Sequence, residues 1–241
     1  YSNKELKGLV NYLDKIEESH DTIISYIESK ESLIAKLLLE RANHIYFIGL
    51  GGVEPKFSQC NLDLLQKKPI DGLTKNIILL WNGHSRIKNT RFWLEKFNFS
   101  LHHHLFLEEN ASYERLLRFF EGKAVGLVLS GGGFRGFSHV GVINALIEKH
   151  IPIDAIGGTS VGAATGACYL VAKNQEEVCK CVKSASDAMR KTLRWMSMTL
   201  PVISIYSTYY STNHTRKTFQ NKRIEDLPLP FFAISANISN H

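Results

Sequence analysis

Apolar and polar positions alternate along the chain in two rhythms. Short apolar runs at residues 22–27 (TIISYI), 44–49 (HIYFIG), 76–81 (NIILLW) and 101–107 predict buried strands. Between them, residues 32–41 place Leu33, Ile34, Leu37 and Leu38 at helical spacing, and residues 90–97 predict a second helix. A further helix, at about 112–120, stops near Gly122. The pattern restarts at Lys123. Residues 124–129 (AVGLVL) and 153–157 predict strands. Residues 137–150 predict a helix whose apolar face is Val140, Ile143, Ala145, Leu146 and Ile147. Residues 161–172 predict a helix of small side chains. Strand–helix alternation implies parallel strands covered by helices, an α/β fold. Two units are expected, 1–122 and 123–241, the first a small Rossmann-like domain. No internal repeat is visible beyond the alternation.

Composition narrows the picture. Of the 241 residues 44% are apolar and 22% charged, which excludes disordered and collagen-like chains. No run of 18 apolar residues occurs, so no transmembrane helix is expected. The opening Tyr1-Ser2-Asn3-Lys4-Glu5 does not begin a signal peptide. The net charge of +6 lies entirely in the second unit: residues 1–122 carry 16 Lys and Arg against 16 Asp and Glu, residues 123–241 carry 13 against 7. That asymmetry points to an anionic partner. No nucleic-acid-binding motif accompanies it, which leaves a membrane surface or a phosphate-bearing ligand. Cys60, Cys168, Cys179 and Cys181 form no C-x-x-C pair, and free thiols in a reducing compartment are expected.

Two motifs carry chemistry. Gly131-Gly132-Gly133-Phe134-Arg135-Gly136 lies between a predicted strand and a predicted helix. Glycines there let the backbone approach a ligand closely, and the amides of the next helix point at it, which suits a phosphate or an oxyanion. Gly158-Thr159-Ser160-Val161-Gly162 also joins a strand to a helix, the G-x-S-x-G context of a nucleophile elbow. In a parallel sheet both loops fall at the carboxyl ends of strands, where ligands bind. The glycine loop then faces Ser160 and holds the oxyanion that its attack creates.

Residues 129–162 resemble the patatin-like phospholipases, specifically those of the neuropathy-target-esterase type. The resemblance rests on Gly-Gly-Gly-x-Arg-Gly, then Ser138-His139-Val140-Gly141-Val142, Ile151-Pro152-Ile153-Asp154 and Gly157-Gly158-Thr159-Ser160. It continues weakly through Arg223-Ile224-Glu225-Asp226-Leu227-Pro228-Leu229-Pro230. Relatives of this type often carry a Rossmann-like segment just before the patatin domain.

The resemblance implies a three-layer α/β/α domain and a lipid acyl hydrolase that cleaves carboxylic esters of phospholipids or lysophospholipids. It implies Ser160 as nucleophile in a serine–aspartate dyad, and Gly131, Gly132, Gly133, Arg135 and Gly136 as the oxyanion loop. It implies no metal or organic cofactor. The family's aspartate sits in a later Asp-Gly-Gly or Asp-Gly-Ala motif. None occurs here, since the only Asp-Gly pair, Asp71-Gly72, lies in the first unit and is followed by Leu73. The expectation is a domain truncated at its C-terminus, with the aspartate beyond His241 and the chain alone nearly inactive. The alternative is a catalytically inactive module that binds lipid or anion. Location is expected to be cytoplasmic or peripheral to a membrane.

Other features are weighed against these. His139 is expected to orient the glycine loop, and Asp154 to serve a turn or cap. His102-His103-His104 on a strand would point to alternate faces, a poor metal set. In Gly49-Leu50-Gly51-Gly52-Val53-Glu54, Glu54 stands where a dinucleotide fingerprint needs glycine, so a structural turn is expected and a nucleotide sensor is disfavoured. Residues 176–200 place Val178, Val182, Ala185, Met189, Leu193 and Met196 on one helical seam beside Lys180, Lys183, Arg190, Lys191 and Arg194. That segment reads as a helix packed on the core, or as a lid that meets anionic lipid, with Trp195 and Met198 adding bulk and 201–210 extending its rim.

Overall fold

The computed structural model describes residues 3–27, 33–55, 73–83, 86–172, 174–194, 198–199, 205–220 and 222–237. The elements run α1 (Asn3–Ser19), α2 (Leu33–Arg41), β1 (His44–Leu50), β2 (Thr74–Trp81), α3 (Arg91–Leu94), β3 (Leu101–Phe106) and α4 (Asn110–Phe120). They continue with β4 (Gly126–Leu129), a 3-10 turn at Gly133–Gly136, α5 (Phe137–Glu148), β5 (Ala155–Thr159), α6 (Val161–Val171) and α7 (Gln175–Thr192). Last come α8 (Tyr209–Phe219), a 3-10 turn at Ile224–Asp226 and β6 (Phe231–Ile234). The strands form two parallel three-stranded sheets, ordered β1-β2-β3 and β4-β5-β6. The fold is therefore α/β.

The first sheet is apolar on both faces. Alternate residues Ile77, Leu79 and Trp81 pack with Trp93 of α3 and with Phe47, Phe99 and Phe106. On the other face Tyr46 meets Phe120 at 4.7 Å and His103 meets Phe119 at 4.6 Å, so α4 packs there, while Ile48 on the same face stays 60% exposed. Consecutive strand order is that of one half of a doubly wound sheet, and no strand lies outside β1 among the described residues, so the sheet shows no switch point.

The second sheet buries Leu129 and Ile156 with Ile143 of α5 and Leu170 of α6. Its other face is open among the described residues: Val128 is 69% exposed, Phe232 48% and Ile234 65%. The described residues thus supply one helical layer here, where the resemblance implies two.

Three other expectations change. Residues 22–27 form no strand; Ile24 and Tyr26 are exposed, and neither sheet pairs with the segment, so its backbone gains no ladder. The 90–97 helix shrinks to the single turn α3, because the chain leaves it to bring Phe99 against Phe47 at 5.8 Å. The N-terminal helix α1 is an addition to the predicted elements, and Arg41 at the end of α2 ties to its Asp14 and Glu17.

Buried polar contacts lock the sheets together. Arg118 of α4 donates to both carboxylate oxygens of Asp154, at 2.9 and 2.6 Å, and Val125 N donates to the same carboxylate at 2.9 Å. Asp154 is 1% exposed. Thr90 N donates to Asp226 Oδ1 at 3.1 Å. Trp81 Nε1 donates to His104 Nδ1 at 3.1 Å, leaving His104 Nε2–H to donate to the Glu225 carbonyl at 2.9 Å. The Ile224–Asp226 turn is therefore a strap from the first sheet to the segment that enters β6.

Candidate active site

Ser160 sits between β5 and α6 with φ 51° and ψ −123°. A non-glycine residue at positive φ is strained, and surrounding structure must hold it there. The flanking glycines show how. A Cβ at Gly158 would strike the Leu129 carbonyl, and one at Gly162 would strike the backbone of Leu129 and Ser130. The turn thus presses directly on the end of β4, an approach that only glycine permits. Thr159 closes β5 in register with Ile234, and Val161 opens α6 with its side chain where a Cβ at Gly136 would fall.

The glycine loop faces this turn. A Cβ at Gly131 would lie 3.4 Å from Ser160 Cβ and 3.5 Å from Thr159 Cγ2. Gly132 leads into the 3-10 turn and Gly133 has φ 56°, while Arg135 N donates to the Gly132 carbonyl at 3.1 Å. Gly136 is buried, and Arg135 and Phe134 are exposed. The structure therefore brings Gly131 up to Ser160, through contacts that sequence spacing alone does not require. No side chain caps α6, so its first amides remain available at the serine. Those amides and the glycine-loop amides are donors of the kind that stabilise a developing oxyanion.

Neither His139 nor Asp154 is placed to serve Ser160. His139 Nε2 pairs with the Ser130 carbonyl at 2.9 Å, holding the loop. Asp154 lies at the opposite end of β5 from Ser160 and is saturated by Arg118 and Val125.

Ser160 opens on a cavity of about 410 Å³ between α6, α7 and α8. Val161, Ala164, Val182, Ala185, Met189 and Leu193 give it apolar walls. The seam read in residues 176–200 is thus divided. Val178 is buried in the core, Val182 is buried at the cavity wall, and Ala185, Met189 and Leu193 line the cavity; Trp195 and Met196 lie outside the described residues. The α7 N-terminus is capped by Asn174, whose side chain accepts from Glu177 N at 2.9 Å.

The third wall, α8, escapes the sequence reading. It supplies Ser211, His214 and Thr215. Its sequence YYSTNHTRKTF has no apolar seam, and its only signal is the i, i+3, i+4 spacing of those three residues. Ser184 Oγ donates to the Cys181 carbonyl at 2.9 Å and pairs with His214 Nε2 at 2.7 Å, so the His214 Nε2–H is the donor. Burial pushes the His214 imidazole below its ordinary value.

The cysteines also depart from expectation. Cys168 of α6 and Cys181 of α7 form a disulfide with Cα atoms 5.8 Å apart, and Cys179 is an exposed free thiol. Cys60 and the Asp71-Gly72 pair lie outside the described residues. The bridge joins two walls of the cavity. A separation of 13 residues gives no hint that these helices face each other.

The other sequence features resolve into packing. Cβ atoms at Gly49 and Gly51 would strike Trp93 and Trp81, so those glycines make room for indoles. Both ring nitrogens of His104 are engaged within the fold, and His103 is on the opposite face. No helix among the described residues is long and apolar enough to cross a membrane.

Comparison with known proteins agrees with the motifs. Residues 127–239 match the family model for patatin-like phospholipase. Over 96% of its length the chain is 28% identical to patatin-like phospholipase domain-containing protein 6 of Homo sapiens, covering 19% of that protein. It is 28% identical to neuropathy target esterase sws of Drosophila melanogaster, again over 96% of the chain and 18% of the relative. Against patatin-like phospholipase domain-containing protein 7 of Rattus norvegicus the identity is 27%, over 96% of the chain and 19% of the relative. The chain spans about a fifth of the length of these curated relatives. With the glycine loop set against a G-x-S-x-G turn, residues 127–239 are similar to a patatin-like phospholipase domain, and the chain as a whole is similar to neuropathy target esterase sws.

Proposed function

We propose that residues 123–241 carry the nucleophile and the oxyanion-binding half of a serine lipid acyl hydrolase, with residues 1–122 as an α/β unit strapped beside it. The observation that carries this reading is the placement of Ser160. It is a non-glycine residue held at positive φ on a strand-to-helix turn, beside a glycine loop and at the mouth of an apolar cavity. A strained serine has no packing role to justify it, and strain of this kind gathers at functional sites.

In this reading the acyl chain of a phospholipid or lysophospholipid enters the cavity between α6, α7 and α8. Ser160 Oγ attacks the ester carbonyl carbon, and amides of Gly132, Gly133 and Val161 hold the oxyanion. The hydroxyl proton passes to a carboxylate base, which returns it to the departing alcohol as the C–O bond breaks. Water, deprotonated by the same base, then cleaves the acyl-enzyme and frees the fatty acid. The resemblance to the patatin-like phospholipases assigns that base to an aspartate of a later Asp-Gly motif, outside these 241 residues; Asp154 is engaged by Arg118 and Val125 instead. Losing the base partner costs on the order of 10⁴-fold in kcat. Arg135 supports the 3-10 turn through its backbone, whose N–H donates to the Gly132 carbonyl and whose carbonyl accepts from Ser138 Oγ. The basic α7 meets the anionic lipid surface from which substrate is drawn.

Fatty-acid release from a lysophospholipid tests this reading. A longer chain that runs through the domain's later Asp-Gly motif is expected to release acid, and Ser160→Ala to lower the rate by roughly 10³-fold or more, on the order seen when a triad member is lost. Equal rates with and without Ser160 would end the hydrolase reading and favour a lipid-binding module.

A further inference from the structure

A second depression lies beside the cavity that holds Ser160. It measures about 360 Å³ and is lined by Phe134, Phe137, Lys183, Ser186, Asp187 and Arg190. Phe134 and Ser186 belong to both, so the two spaces adjoin across these side chains. Helix α7 forms the ridge between them and shows each a different stripe. Ala185, Met189 and Leu193, at spacings of four, face the apolar cavity. Lys183, Ser186 and Arg190, at spacings of three and four, face the depression.

The electrostatics of the depression favour an anion. Two cations meet one carboxylate. Asp187 accepts a single bond from Arg190 Nη2 at 3.1 Å, which leaves the other guanidinium donors free to bind. Lys183 is exposed and makes no ion pair among the described residues. Phe134 and Phe137, 54% and 44% exposed, supply an apolar lip on the side of the glycine loop. The two adjoining spaces therefore suit an amphiphile whose tail fills one and whose negative charge falls in the other.

We infer that Lys183 and Arg190 form a headgroup subsite that takes the phosphate of a monoacyl glycerophospholipid while its acyl chain occupies the cavity at Ser160. This rests on the hydrolase reading and adds to it the basis of substrate choice. A neutral monoacylglycerol fills the cavity and leaves the subsite empty. A free fatty acid carries its charge at Ser160 itself, and so does not reach it. The cations act by binding and positioning, and take no part in bond making.

Binding to the Ser160→Ala chain tests the inference without turnover. The probes are 1-octanoyl-glycero-3-phosphate and 1-octanoylglycerol, each below its micellar concentration, followed by titration calorimetry. The phosphate-bearing lipid is expected to bind about tenfold more tightly, the order of one charge-assisted contact. Inorganic phosphate at the same concentration is expected to bind far more weakly, since it has no tail. With Lys183→Gln and Arg190→Gln combined, the two lipids are expected to bind alike. Both side chains are solvent-exposed, and an unchanged melting temperature verifies the fold of the variant. Lys149→Gln, just beyond the far end of α5 from Phe137, is expected to keep the preference. The subsite is overturned if the chain with Lys183 and Arg190 intact shows no preference, if the double variant retains it, or if Lys149→Gln abolishes it. Failure of both lipids to bind would overturn the hydrolase reading as well.

Discussion

Ser160 shows how local backbone demands reach into chemistry. Its φ of 51° is tolerated because Gly158 and Gly162 let the turn press on the backbone of β4. This part of the site is legible in the sequence, since a glycine at each such approach is a local requirement. His103 is the opposite case. The side chain is 1% exposed, and neither ring nitrogen has a hydrogen-bond partner among the described residues. Burial pushes its pKa down to about 4, and that of His104 to about 3, against an ordinary 6.5. With folded values depressed, the unfolded chain binds more protons below about pH 6.5. Stability is therefore complete above about pH 6.5 and falls as the pH drops toward 4 and then 3. His103→Leu removes one of these groups and an unsatisfied polar ring. It is expected to raise stability at about pH 5 and to flatten the acid limb, read as the urea midpoint against pH. An acid limb as steep as the parent's would contradict the burial argument.

Elements carry what residues alone do not. The apolar seam of α7 stands in plain view in the linear chain, and the seam is indeed a structural wall. Its partner α8 is invisible there, because a helix that lines a cavity with Ser211, His214 and Thr215 needs no hydrophobic stripe. The strap at Ile224–Asp226 reads in sequence only as a segment before a strand. Its function as a tie depends on Thr90 and His104, more than a hundred residues away along the chain. Asp226→Ala leaves the buried Thr90 amide without an acceptor and is expected to cost about 1–3 kcal/mol. Asp226→Asn keeps an acceptor and is expected to cost less than half as much. Chemical denaturation separates the two, and equal losses would show that charge, rather than the tie, is what the position provides.

At the scale of the whole molecule, two parallel sheets are joined through Arg118–Asp154 and the strap, and the serine lies at the carboxyl end of β5. The α/β alternation predicts this architecture, because period and run length are local properties. The disulfide between α6 and α7 and the open face at Val128, Phe232 and Ile234 are not legible in sequence, since both depend on which surfaces meet. The chain matches a fifth of its relatives' length, and the similarity runs through both sheets.

The central claim is that Ser160 is an activated nucleophile. Fluorophosphonate labelling followed by peptide mass mapping tests it most directly, on this chain and on a longer form extended past His241, each beside its Ser160→Ala variant. The account predicts covalent modification of the 158–162 peptide at Ser160 in the extended protein, strongly reduced in the 241-residue chain and absent from both variants. A folded extended protein that takes up no label, or takes it up at a residue other than Ser160, would contradict it.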